Sequence, residues 1–155
     1  LLAVVNAVKD GSIRNGPNDT SYDAALSLAT ILRLPQEQIC LTTLRDIQKH
    51  LALSDTRPAS SFFYRYIRND DFGKPNSAFV ICSFWVAQAL ARLGHSEEAI
   101  GILEDAIQAS NHLGLLSEHY NPLNKTQLGN FPQAYSHVGL INAAFAVSPP
   151  WSEVL

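Results

Sequence analysis

Few residues in this sequence have both the type and the setting to do chemistry, and Glu118 leads them. It stands in the run GLLSEHYNP, flanked by His119 and Tyr120. A glutamate so placed is a candidate general acid or base. Other carboxylates have simpler readings. Glu97 and Glu98 follow Ser96 at the start of a helical pattern, where negative charge suits the helix macrodipole. Asp70 and Asp71 join Gly73-Lys74-Pro75 in marking a turn. Cys40 and Cys82 lie inside apolar helical patterns, so they read as buried, inert thiols. They give no metal spacing and no disulfide framework, and nothing calls for a cofactor. A glutamate in a loop is most often only solvated, so Glu118 needs further support.

The elements that must position these residues are helical. In SYDAALSLATIL, residues Ala24, Ala25, Leu28, Ile31 and Leu32 recur at helical spacing, with Asp19, Thr20 or Ser21 as the expected N-cap. A second helix is expected from Pro35, with Leu41, Leu44, Ile47 and Leu51 on one stripe. His50 sits beside that stripe as a surface residue. The stretch SFFYRYIRNDDFGKPN reads as extended, with Phe62, Phe63, Tyr64 and Tyr66 around Arg65. A third helix, roughly 77–93, is apolar nearly all round and should be buried on more than one side. Gly94 ends it, Ser96 caps a fourth helix, and Gly114 is the expected stop. The last helix should begin near Gln133 and carry Ala134, Val138, Ile141, Ala144 and Phe145, and Pro149-Pro150 cannot continue it. Strand signals are nearly absent, which predicts an all-α chain of antiparallel helical hairpins.

Bulk properties narrow the classes. The chain has 155 residues, 46% hydrophobic and 16% charged, with a net charge of −3, as for one globular domain. Its basic residues are scattered, which argues against a nucleic-acid partner. No apolar run reaches the roughly 20 residues of a membrane span. There is no methionine, and the opening LLAVVNAV reads as the tail of a helix, so a longer parent polypeptide is expected. Residues 114–132 stand out. Helical connections usually take two to eight residues. This one is longer, and it is too apolar for plain disorder, with Leu115, Leu116, Tyr120, Leu123 and Phe131.

Two motifs give that segment a setting. The run Leu116-Ser117-Glu118 is followed by Asn121-Pro122, and Gly129-Asn130-Phe131-Pro132-Gln133-Ala134 is followed by Ser136-His137. In order and spacing they resemble the C-terminal half of glycoside hydrolase family 15, which contains glucoamylases, glucodextranases and bacterial trehalases. Upstream, SYDAALSLATIL and Tyr64-Arg65-Tyr66 are similar to the family's Asp-Ala helix and its sugar-contacting arginine stretch.

The resemblance implies that the chain is one partial domain, residues 1–155, forming the C-terminal portion of an (α/α)6 barrel. It implies a parent acting as an inverting α-glucosidase of glucoamylase type on α-glucosides or oligosaccharides. Inverting hydrolysis needs two carboxylates about 6.5–9.5 Å apart, one protonating the leaving oxygen and one activating water. Glu118 matches the family's general base. Arg65 matches its sugar-binding arginine, with Tyr66, Tyr135 and His137 near the pocket. The family's general acid lies in a Trp-Glu segment that is missing here, since Trp85 precedes valine and Trp151 precedes serine. These residues alone are therefore expected to be inactive. Asn76, where bacterial relatives often have an acid, and His119, where Glu or Gln is commoner, depart from the pattern.

Other readings remain. ALARLGHSEEAIGILEDAI resembles a tetratricopeptide unit, but no second copy is found and residues 114–132 break any period. The regulatory subunits of phosphorylase kinase resemble the same family without its chemistry. A barrel cut partway should also leave apolar faces, such as that around Phe79, Phe84 and Trp85, for the rest of the barrel or for self-association.

Overall fold

A computed structural model describes residues 2–53, 60–71 and 73–154. The chain opens with α1 (Leu2–Asn6) and a two-stranded hairpin of β1 (Val8–Lys9) and β2 (Ser12–Ile13). Its turn uses Asp10 and Gly11, both at positive φ, a dipeptide suited to tight hairpins. The helix expected over 21–32 starts later than its candidate caps. Asp23 is the N-cap, its side chain accepting from the Ala25 N–H, and a 3-10 turn at Ala24–Ser27 leads into α2 (Leu28–Ile31). Asp23 takes the cap in place of these candidates, while Asp19 and Ser21 are bonded to each other in a local turn. Asp19 accepts from both the N–H and the hydroxyl of Ser21.

The first three long helices follow the apolar periodicity closely. Helix α3 (Glu37–Leu51) buries Cys40, Leu44, Ile47 and Leu51. A short β3 (Ala78–Phe79) runs into α4 (Val80–Arg92), which is buried on several sides and is the centre of the core. It packs against α5 (Ser96–Ile107), α6 (Ala134–Val147), α3 and α2. Helix α5 ends before Gly114, and a short α7 (Trp151–Val154) follows the paired prolines. Cys40 and Cys82 are both free and buried.

Residues 114–132 correct the expectation of no strands. They contain β4 (His119–Asn121) and β5 (Thr126–Leu128), which join β3 in an antiparallel sheet of order β3-β4-β5. Strands of two or three residues are too short for alternation to register in a sequence. The β3–β4 pairing sets Ala78 opposite Tyr120 and Phe79 opposite His119. It ties the N-terminus of α4 to the segment carrying Glu118.

Helix α6 shows the opposite of its expected face. Its buried residues are the small ones, Ser136, Gly139 and Ala143. Val138, Ile141 and Phe145 are 54%, 53% and 65% exposed, so the bulky stripe is the outer one. Close approach to α4 requires this. A Cβ at Gly139 would lie 3.1 Å from both Ile81 and Phe84 side-chain atoms. An exposed apolar face thus lies on α6, whereas Phe84 is wholly buried and Phe79 and Trp85 are half-buried. Gly139→Ala should gain about 1 kcal/mol of helix propensity but lose about 1–3 kcal/mol to overpacking. A net loss of stability, read as a lower denaturation midpoint, is expected.

Candidate active site

Glu118 sits where three elements meet, and its backbone is fixed on both sides. Its N–H donates to the Asn130 carbonyl at 2.9 Å, and its carbonyl accepts from the Val80 N–H at 3.0 Å. The flanking residues are held equally well. The Ser136 hydroxyl donates to the Ser117 carbonyl at 2.9 Å. The Gln127 amide donates to the carbonyls of Ala109 and Leu115, closing the loop against the end of α5. A segment without helical periodicity is thus held by hydrogen bonds, which fixes the direction of the glutamate side chain.

Both carboxylate oxygens are occupied by donors. Oε2 accepts from the Asn130 N–H at 3.1 Å and from the Asn130 side-chain amide at 3.0 Å. Oε1 accepts from the Tyr135 hydroxyl at 2.8 Å. The Asn130 N–H is the main reason that the Glu118 carboxyl is held below the usual glutamate range, against the opposing effect of burial. The Tyr135 hydroxyl, nearby His119 and the Asn130 side chain add to it. Donors to an ionised carboxylate keep it available as a proton acceptor. Tyr135 is pushed up to about 12, by burial and then by its bond to Glu118, so it stays a donor.

Gly129 makes room for this arrangement. It has φ of 74°, and a Cβ there would lie 2.8 Å from Glu118 Oε2 and 3.3 Å from His119 Cδ2. No residue with a side chain fits this position without moving the carboxylate.

Glu118 borders an open cleft of about 430 Å3 with Arg65, Tyr66, Phe79 and His119, rimmed by the turn that includes Asp70 and Lys74. That volume is within the range of small-molecule sites. Arg65 pairs through Nε with Asp23 and lies over the Trp85 ring, 5.7 Å from its centroid. Tyr66 donates its hydroxyl to Asp70 at 2.7 Å. The His119 ring packs on Phe79 with centroids 4.9 Å apart, and burial lowers its pKa, which favours the neutral imidazole.

The cleft thus brings together Glu118, Arg65 and Tyr66. Tyr135 does not line it and reaches it through Glu118. His137 is employed elsewhere. Its Nε2 accepts from the Leu116 N–H at 3.2 Å, and Nδ1 lies 2.8 Å from the Gln133 carbonyl. It therefore clips the Glu118 loop to the first turn of α6. Asn130 and Asp23 were not singled out from the sequence as site residues. Asn130 lies within the Gly-Asn-Phe-Pro-Gln-Ala run, and its position there was the available signal.

The Glu118 clamp has a pH consequence. Its pKa is depressed in the folded state, so the stabilisation is present above the unfolded value of about 4.3 and is lost as pH falls through the folded value. Tyr135→Phe removes one donor to the ionised form. The acid limb of any activity that depends on Glu118 should then move to higher pH, with a loss of about tenfold on that limb. Hydrogen bonds to charged groups contribute about 1.5–3 kcal/mol, and an open cleft reduces this. A pH–rate profile of the full-length polypeptide checks the shift.

Comparison with known proteins places the chain in one family. The model described as Glycosyl hydrolases family 15 matches residues 8–145. The chain is 33% identical over 141 residues to a trehalase of Mycolicibacterium smegmatis, covering 90% of this chain and 21% of that protein. It is 33% identical over 123 residues to a trehalase of Thermoplasma volcanium, covering 75% of this chain and 19% of that protein. This chain belongs to glycosyl hydrolase family 15, and its curated relatives include trehalases. It spans about one fifth of the length of those relatives.

Solved structures share the fold at low identity. A wild-type glycosidase superposes with a TM-score of 0.76 at 18% identity, covering 94% of this chain and 41% of that chain. A glycosidase variant in complex with glucose gives a TM-score of 0.74 at 19% identity, with the same coverage. The helix-rich architecture is therefore shared with part of these solved chains. An independent tetratricopeptide array does not account for a family match over this range.

Proposed function

We propose that this chain supplies the base-bearing half of a glycoside hydrolase active site, with Glu118 as the general base of an inverting reaction on terminal α-glucosidic bonds. The observation that carries the reading is the clamped Glu118 carboxylate on the same cleft as Arg65. An ionised carboxylate with fixed oxygens can take a proton from a water aimed at the anomeric carbon. Arg65 can offer paired N–H groups to sugar hydroxyls, and Tyr66 and Phe79 can meet the apolar face of a ring. His137 acts through the loop rather than on the sugar.

The general acid is assigned to a segment outside these 155 residues. Asp70, the other carboxylate on the cleft, is exposed, whereas a general acid is kept protonated by burial or by a neighbouring negative charge. In this reading the chain is the C-terminal part of an (α/α)6 barrel. The exposed stripe of Val138, Ile141 and Phe145 is then where the remaining helices pack.

The names of the curated relatives favour trehalose as the first substrate to try, beside the maltooligosaccharides implied by glucoamylases. The test is glucose release by the full-length polypeptide from trehalose, maltose and longer maltooligosaccharides. Release from at least one of them is expected. Failure with all of them would contradict the reading and favour a binding or regulatory role for the same fold.

A further inference from the structure

Asp23 caps a helix, and it also does something a cap does not require. Its Oδ1 accepts the Ala25 N–H at 2.8 Å and also takes Nε of Arg65. The two segments are tied a second time by the Ala24 N–H, which donates to the Arg65 carbonyl at 2.8 Å. The Asp23 side chain is only 12% exposed, against 37% for Arg65. The acid is thus behind the arginine, and the arginine is at the cleft. Trp85 lies beneath the guanidinium.

The choice of nitrogen matters. A guanidinium has five N–H donors in a rigid fork. Pairing through Nε uses the inner donor and leaves the two terminal nitrogens. Among the described residues the Arg65 guanidinium makes its hydrogen bond to Asp23 through Nε. The plane is set from behind by Asp23 and from below by Trp85, so the terminal N–H groups are pre-oriented for a ligand. Pre-organisation of this kind lowers the cost of binding.

We propose that Asp23 is a positioning residue for Arg65, fixing the guanidinium so that its terminal nitrogens bind hydroxyl groups of a sugar in the cleft. This rests on the reading of the cleft as a sugar site. It adds a residue that does not line the cleft.

The helix-capping role can be separated from the positioning role. Asparagine caps helices about as well as aspartate but lacks the charge that pairs with Arg65. The experiment is calorimetric titration of the full-length polypeptide with trehalose and with maltose, in a Glu118→Gln background so that bound sugar is not consumed. Asp23→Asn should weaken binding about tenfold, with the melting temperature nearly unchanged. Asp23→Ala should weaken binding similarly and also lower the melting temperature, since it removes the cap. In an Arg65→Ala background, Asp23→Asn should have no further effect on binding, because the two residues act as one unit. Unchanged binding in Asp23→Asn, or an equal loss with and without Arg65, would overturn the proposal. Failure of the Glu118→Gln polypeptide with Asp23 and Arg65 intact to bind either sugar would overturn both the proposal and the sugar-site reading. Sugar binding without glucose release from the native polypeptide would contradict the proposed catalysis alone.

Discussion

Glu118→Gln in the full-length polypeptide should lower kcat on its α-glucoside substrate by about 10²–10⁴-fold while leaving the fold intact. The geometry explains why the two effects separate. Glutamine is nearly isosteric with glutamate, and its carbonyl can still accept from Asn130, which bonds Oε2. Its amide can donate to the Tyr135 hydroxyl, which accepts as well as it donates. The hydrogen-bond frame therefore survives, and what is lost is the ability to take a proton from water. General-base catalysis contributes about 10²–10⁴-fold, which sets the size of the loss. Initial rates measured beside thermal melts check both halves. A variant with native turnover would remove Glu118 from the chemistry, and one that fails to fold would show the clamp to be structural.

Gly129→Ala should be the second most damaging change, although glycine has no reactive group. At φ of 74° an alanine carries a left-handed strain of roughly 1–2 kcal/mol. The added methyl would also lie 2.8 Å from Glu118 Oε2 and 3.1 Å from Glu118 Cβ. The movable atom in that contact is the carboxylate itself, so relief comes by displacing the proposed base. A displacement near 1 Å of a reacting group costs about 10²-fold in rate. The expected signature is a modest loss of stability with a disproportionate loss of kcat. Loss of stability with kcat preserved would mean that the carboxylate tolerates the shift.

The contrast between these two residues shows what the sequence made legible. Glu118 stands out because it lies in a non-periodic segment, inside one motif and upstream of another. Gly129 was part of a motif, but its reason, room for Oε2, appears only when the two loops are side by side. Asn130 is 12 residues from Glu118, and Arg65 is 42 from Asp23, distances that no local pattern spans. The helices were legible for a simpler reason. The stripe of Leu44, Ile47 and Leu51 on α3 repeats at 3.6 residues and is buried as expected.

Helix α6 begins after Gln133 as expected, but its core-facing side is not the bulky stripe. Hydrophobic periodicity points to bulky residues, whereas this interface selects for small ones at Ser136, Gly139 and Ala143. His137, which the family resemblance sets near the pocket, holds the loop through its ring. A histidine beside a motif invites a chemical role, but both ring nitrogens meet backbone groups of the same loop and helix. The strands leave no sequence signal because two or three residues are too few for alternation to register, and β3 finds its partner β4 in a different segment.

The most direct test of Glu118 as base uses azide with the Glu118→Ala variant of the full-length polypeptide. Azide is already anionic and needs no proton removed, so it can attack the anomeric carbon where water can no longer be activated. Approach from the base side, opposite the leaving group, forms a carbon–nitrogen bond as the glycosidic bond breaks. The general acid still protonates the departing oxygen. The measurement is the anomeric configuration of the product by proton NMR. Negligible turnover is expected without azide, and formation of the β-glucosyl azide with it. Full turnover without azide, or an α-glucosyl azide, would contradict this role for Glu118.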